Sequence, residues 1–375
     1  MDALATLDRC HNTHALGRPD AARWAGRRVL VTGHTGFKGS WLVHWLSLMG
    51  AQVYGLALAP TASGHFDLAA TSRHLVRDAR CDIRNAQQVQ DLVHEAQPEI
   101  VFHLAAQALV RSSYDDPLAT LATNAMGTAH VLQACRKLPS LQTVVVVTTD
   151  KCYRNDGQPW AYRENDRLGG HDPYSASKSC AELVAACFAQ SYFFDGPRLA
   201  TARAGNVIGG GDVSTDRLLP DALRAWDLGL PLAVRHPHAV RPWQHVLDAL
   251  GAYLVLAQAL DDPSLTLSEA YNFGPPEDGA WPVWRVLQVA EAAWGTGLSK
   301  LIPLADPQRA EATALRLDAS MALRDLQWRN FLGTATAIEW TVEWERARRQ
   351  GVAAAAITAH QIDRLMAIKE PTRGT

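Results

Sequence analysis

The sequence contains no Cys-x-x-Cys pair, and its six cysteines (Cys10, Cys81, Cys135, Cys152, Cys180 and Cys187) are scattered along 375 residues. That argues against a zinc site or a disulfide framework, so free thiols and no bound metal are expected. Neither sign of charge is in excess, since 36 basic against 38 acidic residues leave a formal net charge of -2. With no chain-wide positive field, nucleic acid and anionic membranes are disfavoured as partners. Long apolar runs are lacking too: the stretch after Gly39 is broken by His44, Ser47 and Gln52, and the first 25 residues have no signal-peptide core. A cytoplasmic protein is the expectation. Lysine is scarce, with only Lys38, Lys137, Lys151, Lys178, Lys300 and Lys369 among the 36 basic residues. Arginine stays charged and cannot act as a tunable proton carrier, so the position of each lysine is informative.

What is present is an ordinary globular composition, 47% hydrophobic and 20% charged. From Arg27 short apolar runs alternate with amphipathic stretches, the pattern of a parallel sheet covered by helices on both faces. Strands are expected at Arg28 to Thr32, Gln52 to Leu58, Leu75 to Arg80, Ile100 to Leu104, Thr143 to Thr148 and Leu199 to Ala204, with a helix from Pro117 to Leu138. The fold class is therefore α/β, a doubly wound Rossmann-type sheet. Residues 1–25 read as a loosely held arm and 26–205 as a dinucleotide-binding domain. Residues 206–375 read as mainly a smaller, interleaved substrate-binding lobe, with Gln244 to Leu260 a helix returning to the sheet.

The first strand runs into Gly33-His34-Thr35-Gly36-Phe37-Lys38-Gly39 and then an amphipathic helix. Glycines permit the tight turn and let backbone amides approach a pyrophosphate, which the positive end of the helix also attracts. At the end of the second strand, Leu56-Ala57-Leu58-Ala59-Pro60 offers neither a carboxylate for a ribose hydroxyl nor an Arg for a 2′-phosphate. The choice between NAD and NADP is thus not legible there. Asp82, after the third strand, is a candidate for the adenine amine or, equally, a helix cap beside Asn85.

Tyr174 and Lys178 lie four residues apart at the start of a helical stretch, so their side chains share a face. Random placement of the chain's Tyr and Lys would give about 0.13 such pairs. A lysine beside a phenol favours the tyrosinate, a base able to take a proton from a sugar hydroxyl. Thr149-Asp150-Lys151 follows the fifth strand, at the carboxyl edge where open α/β sheets bind ligands. There a hydroxyl, an acid and an amine converge; elsewhere the same triplet would read as an exposed turn.

With these segments in hand, the chain from about Arg28 to Trp344 resembles the extended short-chain dehydrogenase/reductase family, and within it the CDP-glucose 4,6-dehydratases. The resemblance rests on the Gly33 turn continuing through Ser40-Trp41, on His103-Leu104-Ala105-Ala106-Gln107, Thr149-Asp150-Lys151-Cys152-Tyr153 and Tyr162-Arg163-Glu164-Asn165. It rests equally on Asp172-Pro173-Tyr174-Ser175, Arg203-Ala204-Gly205-Asn206 through Asp212, and Arg241-Pro242-Trp243-Gln244-His245-Val246.

The resemblance implies NAD held by Gly33, Thr35, Gly36, Phe37, Lys38, Gly39, Asp82, Ile83, Leu104, Ala105 and Ala106, with Tyr174 and Lys178 at its reactive end. It implies Tyr174 as the base at the sugar C4 hydroxyl, Thr149 orienting that hydroxyl, Lys151 as the base at C5 and Asp150 as the acid at C6. Asn206 and Arg241, with Arg111, Arg217 and Arg235, are the candidates for the substrate's sugar and diphosphate. Lys151 replaces a glutamate of related dehydratases, which points to a cytidine nucleotide. Two departures stand out: Val213 where the family has tryptophan, and His171 where it has an aromatic residue. The implied partners are a nucleotide sugar and a second copy of the chain. A dehydratase for another nucleotide, a 4-epimerase and a catalytically silent relative remain the competing readings.

Overall fold

A continuous apolar run suits a strand only where both faces of the sheet are covered. In the computed structural model, which describes residues 16–295, 301–303 and 314–368, largely apolar runs form β1 (Arg28–Thr32), β2 (Gln52–Ala57), β4 (Ile100–His103), β5 (Thr143–Val147) and β6 (Arg198–Ala204), whereas β3 (Arg77–Arg80) is a polar edge strand. Val29 and Val31 of β1, Ile100 and Phe102 of β4, and Val145 and Val147 of β5 enter one core. Their neighbours Leu30, Val101, Val144 and Val146 enter another on the opposite face. The two-residue period of a strand thus divides each run between two layers.

Past β6 the chain adds β7 (Asn206–Ile208), β8 (Leu232–Val234) and β9 (Val240–His245), returns to the large sheet with β10 (Ala270–Phe273), and ends with β11 (Ala280–Pro282) and β12 (Leu301–Pro303). The large sheet has the order β10-β6-β5-β4-β1-β2-β3, with every neighbouring pair parallel. This is the expected doubly wound architecture. The order reverses between β1 and β4, which opens a crevice at their carboxyl ends. β11-β9-β7 and β12-β8 form two small sheets. A third core of Ile208, Leu219, Trp226, Trp243, Val286 and Ile338 lies in this region.

Several boundaries differ from expectation. β3 begins at Arg77 rather than Leu75, and the helical run from Pro117 ends at Cys135, with a widened turn over Ala122–Met126. β10 was not anticipated, because four residues carry too little pattern. The helix expected from Gln244 starts at Val246, after β9, and runs to Leu260 with every residue buried, β5, β6 and the helix Phe37–Leu48 being among the elements packed on it. Residues 18–24 are tied to the body of the fold: Asp20 N–H and Trp24 Nε1 both donate to Gln258 Oε1, at 2.8 and 2.9 Å, and Arg18 donates to the Met366 carbonyl. Residues 1–15, with Cys10, and Lys300 and Lys369 lie outside the described residues. Cys81, Cys135 and Cys152 are buried free thiols, whereas Cys180 is half-buried and Cys187 exposed. Among the described residues no helix is long and apolar enough to cross a membrane.

Candidate active site

The turn after β1 is built by contacts that only glycine tolerates. Gly33 has φ +74°, and a Cβ there would lie 2.7 Å from the Ala105 nitrogen; a Cβ on Gly39 would strike the Gly33 carbonyl. Gly36 N–H donates to Gly33 O at 3.0 Å, and the helix Phe37–Leu48 starts at once with no side-chain cap. Its first amides are left for a ligand. Thr32 Oγ1 accepts from Ala105 N–H at 3.1 Å and lies 2.7 Å from His103 Nδ1, while His103 Nε2 lies 3.0 Å from Thr128 Oγ1. Burial lowers the His103 pKa to about 3, so this knot between the β1 and β4 loops is uncharged at neutral pH. Thr35 Oγ1 donates to Leu58 O at 3.0 Å. Asn85 takes the helix cap by accepting Gln88 N–H, leaving Asp82 gripped by Arg84 at the cleft edge. A turn pinned this tightly, with free amides above it, fits a dinucleotide. Lys38 in the same turn is half-buried, with Nζ 3.3 Å from Tyr253 Oη. Burial, then Lys178 and Arg217, lowers its pKa to about 7.

Asp172 caps the helix Pro173–Tyr192 by accepting Ser175 N–H at 2.9 Å, with Pro173 at the first turn. Tyr174 and Lys178 therefore sit one turn apart, both buried. Burial pushes the Tyr174 phenol up to about 12, opposed by the Thr149 hydroxyl and by Arg217. The expected tyrosinate thus needs a further positive charge beside the ring. Burial lowers Lys178 to about 8 against the opposing charge of Glu182, and its Nζ donates to the Val147 carbonyl at 3.3 Å.

At the end of β5 the Thr149 hydroxyl accepts Lys151 N–H at 3.3 Å, opening a short helical turn over Asp150–Cys152, and donates to Asp150 Oδ1 at 3.0 Å. Asp150 is 1% exposed, and its Oδ2 has no hydrogen-bond partner within the protein. Burial raises its pKa, against the pull of Lys151, the Thr149 hydrogen bond and Arg241. A carboxyl so held can carry a proton and deliver it from one free oxygen. Gly205 leaves the room: a Cβ there would lie 3.3 Å from Asp150 Oδ2 and 2.6 Å from Pro242 Cγ.

Beneath this platform lies a buried network that sequence reasoning missed. Glu182 accepts from Thr148 Oγ1, from Thr201 Oγ1 at 2.7 Å and from Arg203 Nη2 at 2.7 Å. Arg203 also donates to Tyr153 Oη at 2.8 Å, and that hydroxyl donates to Asn272 Oδ1 at 2.6 Å. The sequence signals were the four-residue step from Lys178 to Glu182 and the places of Tyr153 and Arg203 in segments that carry the resemblance. Asn124, in the widened turn, was missed as well; its Nδ2 donates to Gln107 O at 3.0 Å and to Ser177 Oγ at 2.8 Å. Ser113 Oγ accepts Tyr174 N–H at 3.1 Å.

All the candidate residues line one cleft of about 820 Å³ at the β1/β4 crevice: the turn residues, Asp82, Ile83, Leu104, Ala105, Ala106, the Thr149 triplet, Tyr174 and Lys178. Arg111, Asn206, Arg217, Arg235 and Arg241 line its other bank, and Val213 and His171 also border it. Arg241 is buried and Arg217 Nε lies 4.0 Å from Asp212 Oδ2, while Arg111 and Arg235 both reach Asp216. His171 is exposed and lies 3.6 Å from Asp156.

Residues 29–274 match the NAD dependent epimerase/dehydratase family. The chain is 44% identical to a CDP-glucose 4,6-dehydratase of Salmonella typhimurium over 335 residues, 88% of this chain and 93% of that one. Its fold superposes on a dTDP-glucose 4,6-dehydratase of Streptomyces venezuelae with a TM-score of 0.74 at 25% identity, covering 86% and 98% of the two chains. A UDP-glucose 4-epimerase of Thermotoga maritima shares the fold with a TM-score of 0.74 at 21% identity, covering 86% and 99%. Matched by the family's model from its first strand to the last strand of the large sheet, and similar to a dehydratase over most of its length, the chain belongs to the NAD dependent epimerase/dehydratase family.

Proposed function

We propose that the protein is a CDP-glucose 4,6-dehydratase, converting CDP-D-glucose into CDP-4-dehydro-6-deoxy-D-glucose and water. The observation that carries this reading is the meeting of Tyr174 with Thr149, Asp150 and Lys151 in one cleft, a redox base beside a separate acid and amine. The 44% identity to a dehydratase of that specificity supports the same substrate. Residues 26–205 carry the dinucleotide, and the part beyond 206 mainly the nucleotide sugar.

NAD held by the Gly33–Gly39 turn would supply the hydride store, able to accept hydrogen from C4 and return it at C6. Tyr174 takes the proton of the C4 hydroxyl, which Thr149 orients, and Lys178 steadies the phenolate. The ketone at C4 acidifies the C5 hydrogen, which Lys151 removes as Asp150 protonates the departing C6 oxygen, and Lys151 gives the proton back to C5 when hydride is returned to C6. Asp150 suits this role because burial raises its proton affinity and its Oδ2 has no hydrogen-bond partner within the protein. Asn206, Arg111, Arg217, Arg235 and Arg241 hold the sugar and diphosphate. A 4-epimerase would need no acid and amine aimed at C5 and C6.

The test is to incubate the protein and NAD with CDP-, dTDP-, GDP- and UDP-linked glucose and follow loss of water by mass spectrometry. Loss from CDP-glucose alone is expected; loss from a different nucleotide overturns the substrate, and an unchanged mass with all four overturns the dehydration. We also propose a homodimer formed through the helical run 117–135 and the helix Pro173–Tyr192. They pack side by side and expose Leu118, Met126 and Leu183.

A further inference from the structure

Within the arginine bank one carboxylate has no part in the chemistry above. Asp216 Oδ1 accepts from Arg111 Nη1 at 3.4 Å and from Arg235 Nη1 at 3.2 Å, so a single oxygen serves two guanidiniums. Arg111 lies in the short helix after β4, and Arg235 directly follows β8, so the carboxylate ties together two segments far apart in the chain. Asp216 itself sits in the left-handed region, at φ +60°. Its side chain is 40% exposed, and those of Arg111 and Arg235 are 32% and 21% exposed. Ion pairs this wet are individually weak, whereas a diphosphate offers several charged oxygens to the same donors.

We propose that Asp216 is an internal stand-in for the substrate diphosphate: it holds Arg111 and Arg235 together until the nucleotide binds and displaces it, so that it weakens and tunes substrate affinity. This rests on the reading of the arginine bank as a diphosphate site. The exchange forms and breaks no covalent bond; the carboxylate swings to water as phosphate oxygens take its place. A positively charged cleft without such a plug would also capture unrelated anions more readily.

Asp216→Asn isolates the charge, because asparagine tolerates a left-handed backbone best among residues with a side chain. CDP, UDP, GDP and dTDP are titrated calorimetrically into wild-type protein and into Asp216→Asn and Asp216→Glu, at low and high salt. For whichever nucleotide the wild type binds, Asp216→Asn is expected to lower Kd about three- to tenfold, the equivalent of two released surface pairs. The gain should shrink at high salt. Asp216→Glu should stay near wild type, the Kd for the unphosphorylated nucleoside should not move, and KM for the sugar nucleotide should fall with kcat little changed. An unchanged or raised diphosphate Kd in Asp216→Asn, with far-ultraviolet circular dichroism intact, overturns the proposal, as does an equal gain for the bare nucleoside. Wild-type preference for UDP over CDP would count against the cytidine substrate while leaving the Asp216 comparison decisive. No binding of any of the four would overturn both.

Discussion

Lys151 and Tyr174 share a cleft but serve different bonds, and their environments differ accordingly. Tyr174 is buried with its phenol raised to about 12, whereas the Lys151 side chain is only partly covered. Removing the C5 base should leave the first oxidation intact. Lys151→Ala is therefore expected to reduce its cofactor on adding CDP-glucose and then stall, with turnover down about 10²- to 10⁴-fold; normal turnover would show that another group takes the C5 proton. Tyr174→Phe should abolish even that first step, so rapid appearance of reduced cofactor in this variant would point to a different base at C4. The residue scale is also where the sequence was most legible. Tyr174 and Lys178 announce themselves by a four-residue step along one helix, and Thr149 to Lys151 by their place after β5. The raised proton affinity of Asp150 was not legible, since it arises from burial in the folded chain, which no local pattern of residues encodes.

At the scale of elements, the Gly33 turn shows how little space a strand-turn-helix unit leaves. Gly39→Ala sets a methyl against the Gly33 carbonyl and forces the turn open, at a cost of about 1–3 kcal/mol. Thermal melts with and without NAD should show a lower Tm and loss of the stabilisation that NAD confers. Gly196→Ala, where a Cβ meets nothing within 4 Å, serves as the control and should behave as wild type. An undiminished NAD shift in Gly39→Ala would mean that the amides of this turn do not hold the pyrophosphate. Elements buried on two sides were readable because their apolar runs are long, as in β5 with its Thr143-Val144-Val145-Val146-Val147 run. The short β10 was not: Ala-Tyr-Asn-Phe becomes a strand only because β6 offers it an unpaired edge.

Across the whole molecule, the buried helix Val246–Leu260 joins the sheet to the C-terminal segment, and Asp248 is one of its ties. Its Oδ1 accepts Phe331 N–H at 2.6 Å, and burial raises its pKa to about 7. An acid raised above its unfolded value of about 3.9 keeps its proton in the folded state alone across that window. The stability it contributes is therefore full below about pH 4 and is lost as pH climbs towards 7. Asp248→Asn keeps the acceptor without the ionisation. Its Tm should gain on wild type between about pH 5 and pH 8, on the order of 2 kcal/mol; a difference that does not change with pH would exclude Asp248 as the titrating group. For assembly, Leu118→Glu with Met126→Glu should shift the protein from dimer to monomer in sedimentation analysis, and a monomeric wild type would end the dimer proposal.

Local chemistry and periodicity by themselves determined the doubly wound class, the glycine turn and the Tyr-x-x-x-Lys pair, because each depends on residues a few positions apart. Only the tertiary structure decided that Glu182, Arg203 and Asn272 form one buried network, and that Arg111 and Arg235 converge on Asp216. These partners are remote in sequence. They meet because β6 lies between β5 and β10 and because the segments after β4 and β8 border the same cleft, a placement set by packing of the whole chain rather than by any segment of it.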